Sequence, residues 1–184
     1  MANSRVHKED LIVDLLRVFR EKGYEGATLT ELAKATGLGK ASLYHHFPGG
    51  KDEMVAMLLR MCIAELQKKA FRHLDGKGKR TTKIEKFLDG FDSYVEGGEH
   101  HCLIAVLAQG SAVNTYGPLI QNQFRDWQTA LAQVLDDTGE SSKKSQRKAQ
   151  ELLVRLYGAL VTMRLTGSDK TFRQTLKRLR KDFT

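Results

Sequence analysis

The stretch that decides the fold runs from residue 28 to residue 47 and reads TLTELAKATGLGKASLYHHF. Thr28 and Glu31 fit a capping box, in which a hydroxyl and a carboxylate satisfy free amides at the start of a helix. The helix that they open is expected to end at Gly37, because glycine readily takes the left-handed conformation that closes a helix. A second short helix is predicted from Lys40 to Phe47. Two short helices joined by a glycine turn form a helix-turn-helix, whose second helix enters the DNA major groove.

The second helix of this motif offers a polar face to a duplex. Leu43 and Phe47 lie one helical turn apart and are expected to face the core. The other side chains are short or hydrogen-bonding, namely Lys40, Ala41, Ser42, Tyr44, His45 and His46. Small residues permit close approach to base edges, while tyrosine and histidine can reach phosphates or bases. Thr28 and Lys51 each stand at the start of a helix, where free amides and the helix dipole favour a phosphate.

The rest of the chain shows helical periodicity, with only two prolines and no alternating apolar run of useful length. We therefore predict an all-α fold of about nine helices. Thr82 and Glu85 indicate a second capping box, and Pro118 is expected in the first turn of its helix. Outside the motif, the expected helices cover residues 7–22, residue 51 to the polar loop at 73–80, and residues 82–96, 102–109, 118–135, 145–166 and 170–181.

Composition narrows the class of protein. The net charge is +8, but residues 141–184 hold twelve Lys and Arg against three Asp and Glu, so much of the excess lies far from the motif. A solvated basic helix face is an equally good reading of that charge. Two cysteines without zinc spacing disfavour a disulfide framework and favour a reducing, cytoplasmic setting. No signal core or run of about 20 apolar residues indicates a membrane segment.

The motif resembles the DNA-binding domain of the tetracycline-repressor (TetR) family. The likeness covers about the first sixty residues and combines the capped helix, the glycine turn, the ending Leu43-Tyr44-x-His46-Phe47 and a lysine that opens the next helix. The resemblance implies a set of DNA-contacting positions. These are Thr28, Lys40, Ala41, Ser42, Tyr44, His45 and Lys51.

One departure from the family pattern is informative. The link Pro48-Gly49-Gly50 is longer than the commonest family spacing before the lysine, which makes Lys51 a less secure phosphate contact than Tyr44. With Cys102-Leu103-Ile104, Trp127 and the ending at residues 166–169, this link looks like the branch of the family that contains the LmrA and YxaF repressors.

The resemblance also implies a function for the remaining helices. A DNA-binding domain at residues 1–52 would be followed by a ligand-binding and dimerisation domain at residues 53–184. The chain would act as a homodimeric repressor without cofactor, bind a palindromic operator on double-stranded DNA through recognition helices ~34 Å apart, and be released by a small, largely apolar effector. The candidate effector-lining residues are Met61, Phe87, Phe91, Tyr94, Cys102, Val106, Gln109, Phe124, Trp127, Tyr157 and Met163.

The expected dimer face comprises helices 119–135 and 147–166, because the second of these is apolar nearly all round. Other readings stay open at this point. His100, His101 and Cys102 could form a metal site or a sensor, the protein could be an activator, and the chain could be a helical binding protein or enzyme whose N-terminal hairpin only packs. A non-specific basic architectural protein is a further possibility. No set of nucleophile, base and acid favours catalysis.

Overall fold

A computed structural model describes residues 8–98, 101–136 and 142–184. Within these ranges the chain forms nine α-helices and two short 3-10 helices, and it forms no strand, as the sequence predicts. The 3-10 helices are Phe71–Leu74 and Glu96–Gly98. The α-helices are α1 Lys8–Gly26, α2 Leu29–Thr36, α3 Lys40–His46, α4 Gly50–Lys69, α5 Arg80–Tyr94, α6 Leu103–Leu107, α7 Val113–Leu135, α8 Ser142–Thr166 and α9 Lys170–Phe183.

The turn between α2 and α3 forms as predicted, whereas only half of the first capping box does. The Thr28 hydroxyl accepts a hydrogen bond from the Glu31 amide at 3.2 Å. Gly37 ends α2 in the left-handed conformation, with a φ of 68°. The Glu31 carboxylate does not complete the box, because it pairs with the Lys22 ammonium at 2.8 Å. The Thr28 amide donates instead to the Gly26 carbonyl at 2.9 Å. Backbone and ion pairing thus replace the second bond of the box.

The predicted starts of α5 and α7 are wrong. Helix α5 begins at Arg80 with Lys79 as its N-cap and without a side-chain cap, so Thr82 lies inside the first turn and no second capping box forms. Helix α7 begins at Val113, and Pro118 lies inside it. Pro118 is the sixth residue of α7, past the first four amides that lack a partner within a helix, so it removes one i→i−4 hydrogen bond. Here the amide of Val113 is satisfied by the preceding turn, at the Gly110 carbonyl.

The chain divides into two compact units. The first reaches to Cys62 and also includes Leu103–Gly117, and the second comprises Ile63–Cys102 and Pro118–Thr184. In the first unit, α1 packs against α2 and α6 over a buried apolar face that includes Leu15 and Phe19. A segment from the middle of the chain therefore belongs to the same unit as the helix-turn-helix.

The second unit is built around α5, α8 and α9. Helix α8 packs along α9, and α5 packs against α9 and the first 3-10 helix. Its core is rich in aromatic side chains, among which Phe87, Phe91 and Phe172 are fully buried. Among the described residues, no helix combines the length and the apolar content that a membrane crossing requires.

Candidate nucleic-acid interface

Helix α3 is held by two apolar anchors, as the sequence predicts. Leu43 is fully buried and Phe47 is 7% exposed. Gly39 caps the start of the helix in an extended conformation, and the Phe47 amide donates to the Leu43 carbonyl at 2.8 Å. With one side fixed in the core, the opposite side of α3 is free to face a duplex.

That opposite side is polar and exposed. Tyr44 is 48% exposed. The other predicted contacts on the helix are also exposed, as is its last residue; they are Lys40, Ala41, Ser42, His45 and His46. Thr28 is exposed at the start of α2, where its hydroxyl accepts the Glu31 amide and keeps its own proton for another acceptor. Six of the seven predicted DNA-contacting residues thus lie exposed on α2 and α3 of one unit.

Lys51, the seventh residue, is half-buried and already has partners within the first unit. Its ammonium donates to the Tyr24 carbonyl at 3.0 Å and lies 4.1 Å from the centroid of the Tyr24 ring. An ammonium carries three donors, so one hydrogen bond does not exhaust it. A phosphate contact by Lys51 would nevertheless have to form beside this arrangement.

The start of α4 is fixed by a pair of tyrosines that the sequence analysis missed. The Tyr24 hydroxyl donates to an Asp52 carboxylate oxygen at 2.5 Å, and the Tyr116 hydroxyl donates to the Asp52 carbonyl at 2.9 Å. The hydrogen bond to Asp52 is the main cause that raises the pKa of Tyr24 to about 12. Burial, followed by the Asp52 charge, raises the pKa of Tyr116 to about 12. Both hydroxyls therefore remain protonated donors at neutral pH.

A second long-range contact ties the end of α1 to the turn before α7. The Glu25 carboxylate accepts a hydrogen bond from the Ser111 amide at 2.6 Å. Hydrogen bonding by the Ser111 side chain, followed by this bond from its backbone amide, lowers the pKa of Glu25. No local sequence pattern predicts these three hydrogen bonds, because their partners are 28, 64 and 86 residues apart in sequence. Together they hold the neighbours of the helix-turn-helix in place.

The turn between α3 and α4 also helps to position Tyr44. Gly50 is buried and has a φ of 65°. A β-carbon at this position would lie 3.3 Å from the Tyr44 ring. The glycine link therefore supplies both the left-handed turn and the room in which the tyrosine ring packs.

The predicted effector-lining residues do not all come together. In the second unit, six of them belong to one aromatic cluster, namely Phe87, Phe91, Tyr94, Phe124, Trp127 and Tyr157. Phe71, which the sequence analysis missed, joins them by stacking on Trp127 with a centroid distance of 4.5 Å. Met61, Val106 and Gln109 belong to the first unit.

Two further candidates of the second unit lie apart from most of that set. Cys102 is buried, and its thiol lies beside the Tyr157 hydroxyl, whose pKa burial and this neighbour raise well above the usual value. Met163 lines a surface cleft of about 570 Å³ with His101, Arg164 and Arg173. No cluster of three potential metal ligands occurs among the described residues, and His100 lies outside them.

Known proteins are similar to this chain in sequence and in fold. A family model described as bacterial regulatory proteins of the tetR family matches residues 11–58. The chain is 22% identical over 168 residues to the uncharacterized HTH-type transcriptional regulator YxaF of Bacillus subtilis, which covers 89% of this chain and 87% of that protein. It is also 22% identical over 169 residues to the HTH-type regulator LmrA of the same species, with 89% of each covered. The predicted likeness to this branch is confirmed.

The helix-turn-helix region alone has closer relatives. Over 45 residues, the chain is 46% identical to IcaR of Staphylococcus aureus, the negative transcriptional regulator of the icaADBC biofilm operon, with 24% of each chain covered.

Solved structures share the fold of the whole chain. A TetR transcriptional regulator from Legionella pneumophila aligns over 100% of both chains with a TM-score of 0.76 at 20% identity. The regulator CifR, as a cysteine mutant with 26-bp operator DNA, aligns over 100% of both chains with a TM-score of 0.77 at 16% identity. The family model and these relatives describe transcription factors rather than enzymes. Residues 11–58 therefore match the tetR family of bacterial regulatory proteins, and over most of its length the chain is similar in sequence and in fold to HTH-type transcriptional regulators.

Proposed function

We propose that the chain is a ligand-responsive repressor that binds a palindromic operator as a homodimer and leaves it when a small, largely apolar effector binds. The observation that carries the DNA-binding part is the exposed polar side of α3, which Leu43 and Phe47 anchor from behind. Repression is supported by the relative IcaR, a negative regulator, and operator binding by CifR, whose fold this chain shares.

The proposal also assigns a separate role to each part of the chain. Residues 1–52 provide the DNA contacts and residues 53–184 provide effector binding and dimerisation. Ala41 and Ser42 are small enough for close approach to base edges, whereas Lys40, Tyr44, His45 and Thr28 contact phosphates or bases. The Lys51 ammonium donates one hydrogen bond to the Tyr24 carbonyl and contacts a phosphate with its remaining donors.

Gel shift with DNA from upstream of the gene tests the assignment of α3. Tyr44→Ala and Lys40→Ala are each expected to weaken operator binding roughly tenfold or more. Where a phosphate contact is lost, the slope of log affinity against log salt should fall by about 0.9. Lys86→Ala removes an exposed lysine from α5 and is the matched control. Unchanged, tight and salt-sensitive binding by both α3 variants would show that the recognition helix is misassigned.

Dimerisation is supported by an apolar stripe on α8. Val154, Val161 and Leu165 are 63%, 37% and 80% exposed, and their spacing places them on one side of the helix together with Gly158. On α7, Leu119 is 40% exposed. Because the rest of the apolar surface of α8 is buried within the chain, this stripe supports a second, intermolecular use of the helix.

Effector binding is supported by the composition of the second unit. Its aromatic cluster contains six of the eleven side chains expected to line the site. Ligand sites in proteins are mostly apolar, with few and well-placed polar groups. Response to an effector further requires that it bind the DNA-free state more tightly than the DNA-bound state. The test is release of operator DNA, in a gel shift, by a molecule that is shown separately to bind this unit.

A further inference from the structure

Helix α9 carries a basic stripe on the side opposite to the core of the second unit. The helix packs against α5 and α8, and its buried side chains are Phe172, Leu176, Leu179 and Phe183. On the other side, at about 100° of rotation per residue, the stripe occupies an arc about 100° wide. Its members are all exposed, and they are Lys170, Gln174, Lys177, Arg178 and Lys181.

The four cations of this basic stripe make no ion pair with a described residue. Carboxylates do lie on or beside α9, but they pair with arginines outside the stripe. These pairs, joined at 2.5–2.8 Å, are Asp89–Arg180, Asp169–Arg173 and Asp182–Arg155. Lys181 follows Lys177 by four residues and Arg178 by three, a spacing at which like charges on a helix destabilise it. The isolated chain therefore gains nothing from this concentration of charge, whereas an anionic partner would.

The chemistry of the exposed side of α9 indicates which partner fits. An amphipathic helix binds a membrane through its apolar side, but the apolar side of α9 is buried within the unit. The centre of a protein interface is rich in apolar and aromatic side chains and poor in lysine, whereas no exposed residue of α9 is apolar. Lysine, arginine, threonine and glutamine are side chains that contact DNA phosphates. The exposed side of α9 therefore fits a phosphate backbone.

The length of the basic stripe also fits a duplex. From Lys170 to Lys181 the helix rises about 16 Å, at 1.5 Å per residue. One strand of duplex DNA carries one phosphate per ~3.4 Å of helix axis, so the stripe spans about five phosphates of that strand. Four cations over this length match the charge of the strand in sign and nearly in density.

We propose that the basic stripe of α9 binds the phosphates of duplex DNA outside the operator, without sequence preference. The inference goes beyond the operator binding proposed for α3 and rests on it only in the choice of DNA among polyanions. Phosphate contacts carry no direct sequence information, so the stripe adds affinity for any duplex and leaves the choice of operator to α3. Contacts of this kind supply non-specific binding and let proteins slide and hop along DNA.

Binding to a short duplex of unrelated sequence, measured by fluorescence anisotropy over a range of salt concentrations, tests the basic stripe. The stripe variant combines Lys170→Gln, Lys177→Gln, Arg178→Gln and Lys181→Gln. The control variant removes three exposed lysines and one exposed arginine from scattered positions of the same unit. It combines Lys68→Gln, Arg72→Gln, Lys77→Gln and Lys86→Gln. The two variants have the same net charge, so they differ only in where the charges were removed.

At low salt the stripe variant should bind the unrelated duplex at least about tenfold more weakly than the control variant does. Its slope of log affinity against log salt should be shallower by about 2–4, because up to four phosphate contacts are lost. It should melt at the same temperature as the control variant or higher, since the loss of like charges removes repulsion within α9. Equal affinities and equal slopes of the two variants would overturn the proposal.

A cross-linker at Gln174 tests whether DNA contacts the stripe itself. Cys62 and Cys102 are buried, so a photoactivatable maleimide reagent reacts selectively at Gln174→Cys. Light should join this position to the unrelated duplex far more efficiently than it joins Glu85→Cys, an exposed position on α5. Equally efficient cross-linking from both positions would show that DNA has no preference for the stripe.

Competition distinguishes DNA from the other polyanions. Polyglutamate stands for an acidic protein segment, and vesicles that contain phosphatidylglycerol stand for an anionic membrane. At equal concentrations of negative charge, neither competitor should displace the duplex from the parent protein. Displacement by either of them would assign the basic stripe to that partner and overturn the proposal.

Operator binding separates this inference from the proposed function. The stripe variant should keep the parent protein's ratio of operator affinity to unrelated-duplex affinity, and loss of this ratio would contradict a contact without sequence preference. If the parent protein prefers no operator but binds duplexes through the stripe, the proposed function fails and the inference stands. If the operator is preferred but the stripe and control variants bind the unrelated duplex equally, the proposed function stands and the inference is overturned.

Discussion

At the scale of single residues, Asp52 connects three parts of the first unit. It accepts hydrogen bonds from Tyr24 at the end of α1 and from Tyr116 in α7, and it stands two residues after the glycine turn that follows α3. A hydrogen bond removed from one partner leaves the other partner without its bond, which typically costs more than the net value of the bond. The contribution of these tyrosines is therefore measurable.

Tyr116→Phe is expected to lower the free energy of unfolding by about 1 kcal/mol, because it removes one partly buried hydrogen bond while keeping the ring. Urea denaturation followed by far-UV circular dichroism measures the change. Tyr44→Phe is the control, since Tyr44 is exposed, and its effect should stay within about 0.5 kcal/mol. Equal stability of the parent protein and Tyr116→Phe would show that the bond contributes nothing net.

The Glu25–Ser111 contact predicts a dependence of stability on pH. The pKa of Glu25 is lowered from 4.5 in the folded protein by hydrogen bonds from the Ser111 side chain and from the Ser111 amide. Its contribution is therefore complete above pH 4.5 and is lost as the pH falls through the lower folded value. Between these limits the parent protein should lose stability more steeply with falling pH than Glu25→Gln, whose amide oxygen can accept the bond without titrating. Urea midpoints measured across this range provide the comparison; parallel curves would contradict the expectation.

At the scale of elements, α5 depends on a close approach that only glycine allows. A β-carbon at Gly90 would lie 1.9 Å from the Lys69 carbonyl oxygen and 2.9 Å from the α-carbon of Ala70. Both distances are far below van der Waals contact, and both involve backbone, which cannot move aside as a side chain can. Helix α5 and the end of α4 therefore pack backbone to backbone at this point.

Gly90→Ala is expected to destabilise the protein by about 3 kcal/mol, the upper part of the range for overpacking, although alanine is otherwise the better helix former. Thermal denaturation checks this. Glu85→Ala, on the exposed side of the same helix, should stay within about 0.5 kcal/mol. A Gly90→Ala protein as stable as its parent would mean that the two helices can separate there at little cost.

The elements also show what the sequence could predict. Local signals sufficed for α2 and α3, because the Thr28 hydroxyl, the left-handed Gly37 and the anchors Leu43 and Phe47 act within a few residues. Local signals failed at the start of α7. Carbonyls of the preceding turn bond the first amides of the helix, so it begins at Val113 and Pro118 lies inside it.

Long-range contacts explain the rest of the difference. Aromatic residues cluster because they are buried, so six of the effector candidates lie together in the structure, and their role in binding an effector stays a prediction. Val106 and Gln109 fell in the other unit, because only the tertiary structure shows which unit residues 103–117 join.

At the scale of the whole molecule, the apolar stripe of α8 predicts the assembly. In a two-fold symmetric interface each substitution occurs twice, so one charge per chain places two charges in the contact. Val154 is 63% exposed in the stripe, and Val13 is 64% exposed on α1. This pair of valines separates the effect of losing the stripe from the general effect of a new surface charge.

Val154→Glu is expected to give monomers in analytical ultracentrifugation at micromolar concentration, whereas Val13→Glu should remain dimeric. The affinity of Val154→Glu for the operator should fall about a hundredfold or more. In the dimer, binding of one DNA-binding unit holds the second unit at high effective concentration near its half-site, and the monomer loses this effect. A Val154→Glu protein that still sediments as a dimer would remove the stripe from the interface.

The inclusion of residues 103–117 in the same unit as α1, α2 and α3 bears on how this protein can be recombined with others. Glu25 and Asp52 find their partners Ser111 and Tyr116 more than sixty positions further along the chain. A chimera that borrows only the first fifty or sixty residues would join them to foreign partners at these positions. Grafts that exchange both stretches together should keep these hydrogen bonds, so the first unit is transferred intact only when residues 103–117 accompany the N-terminal helices.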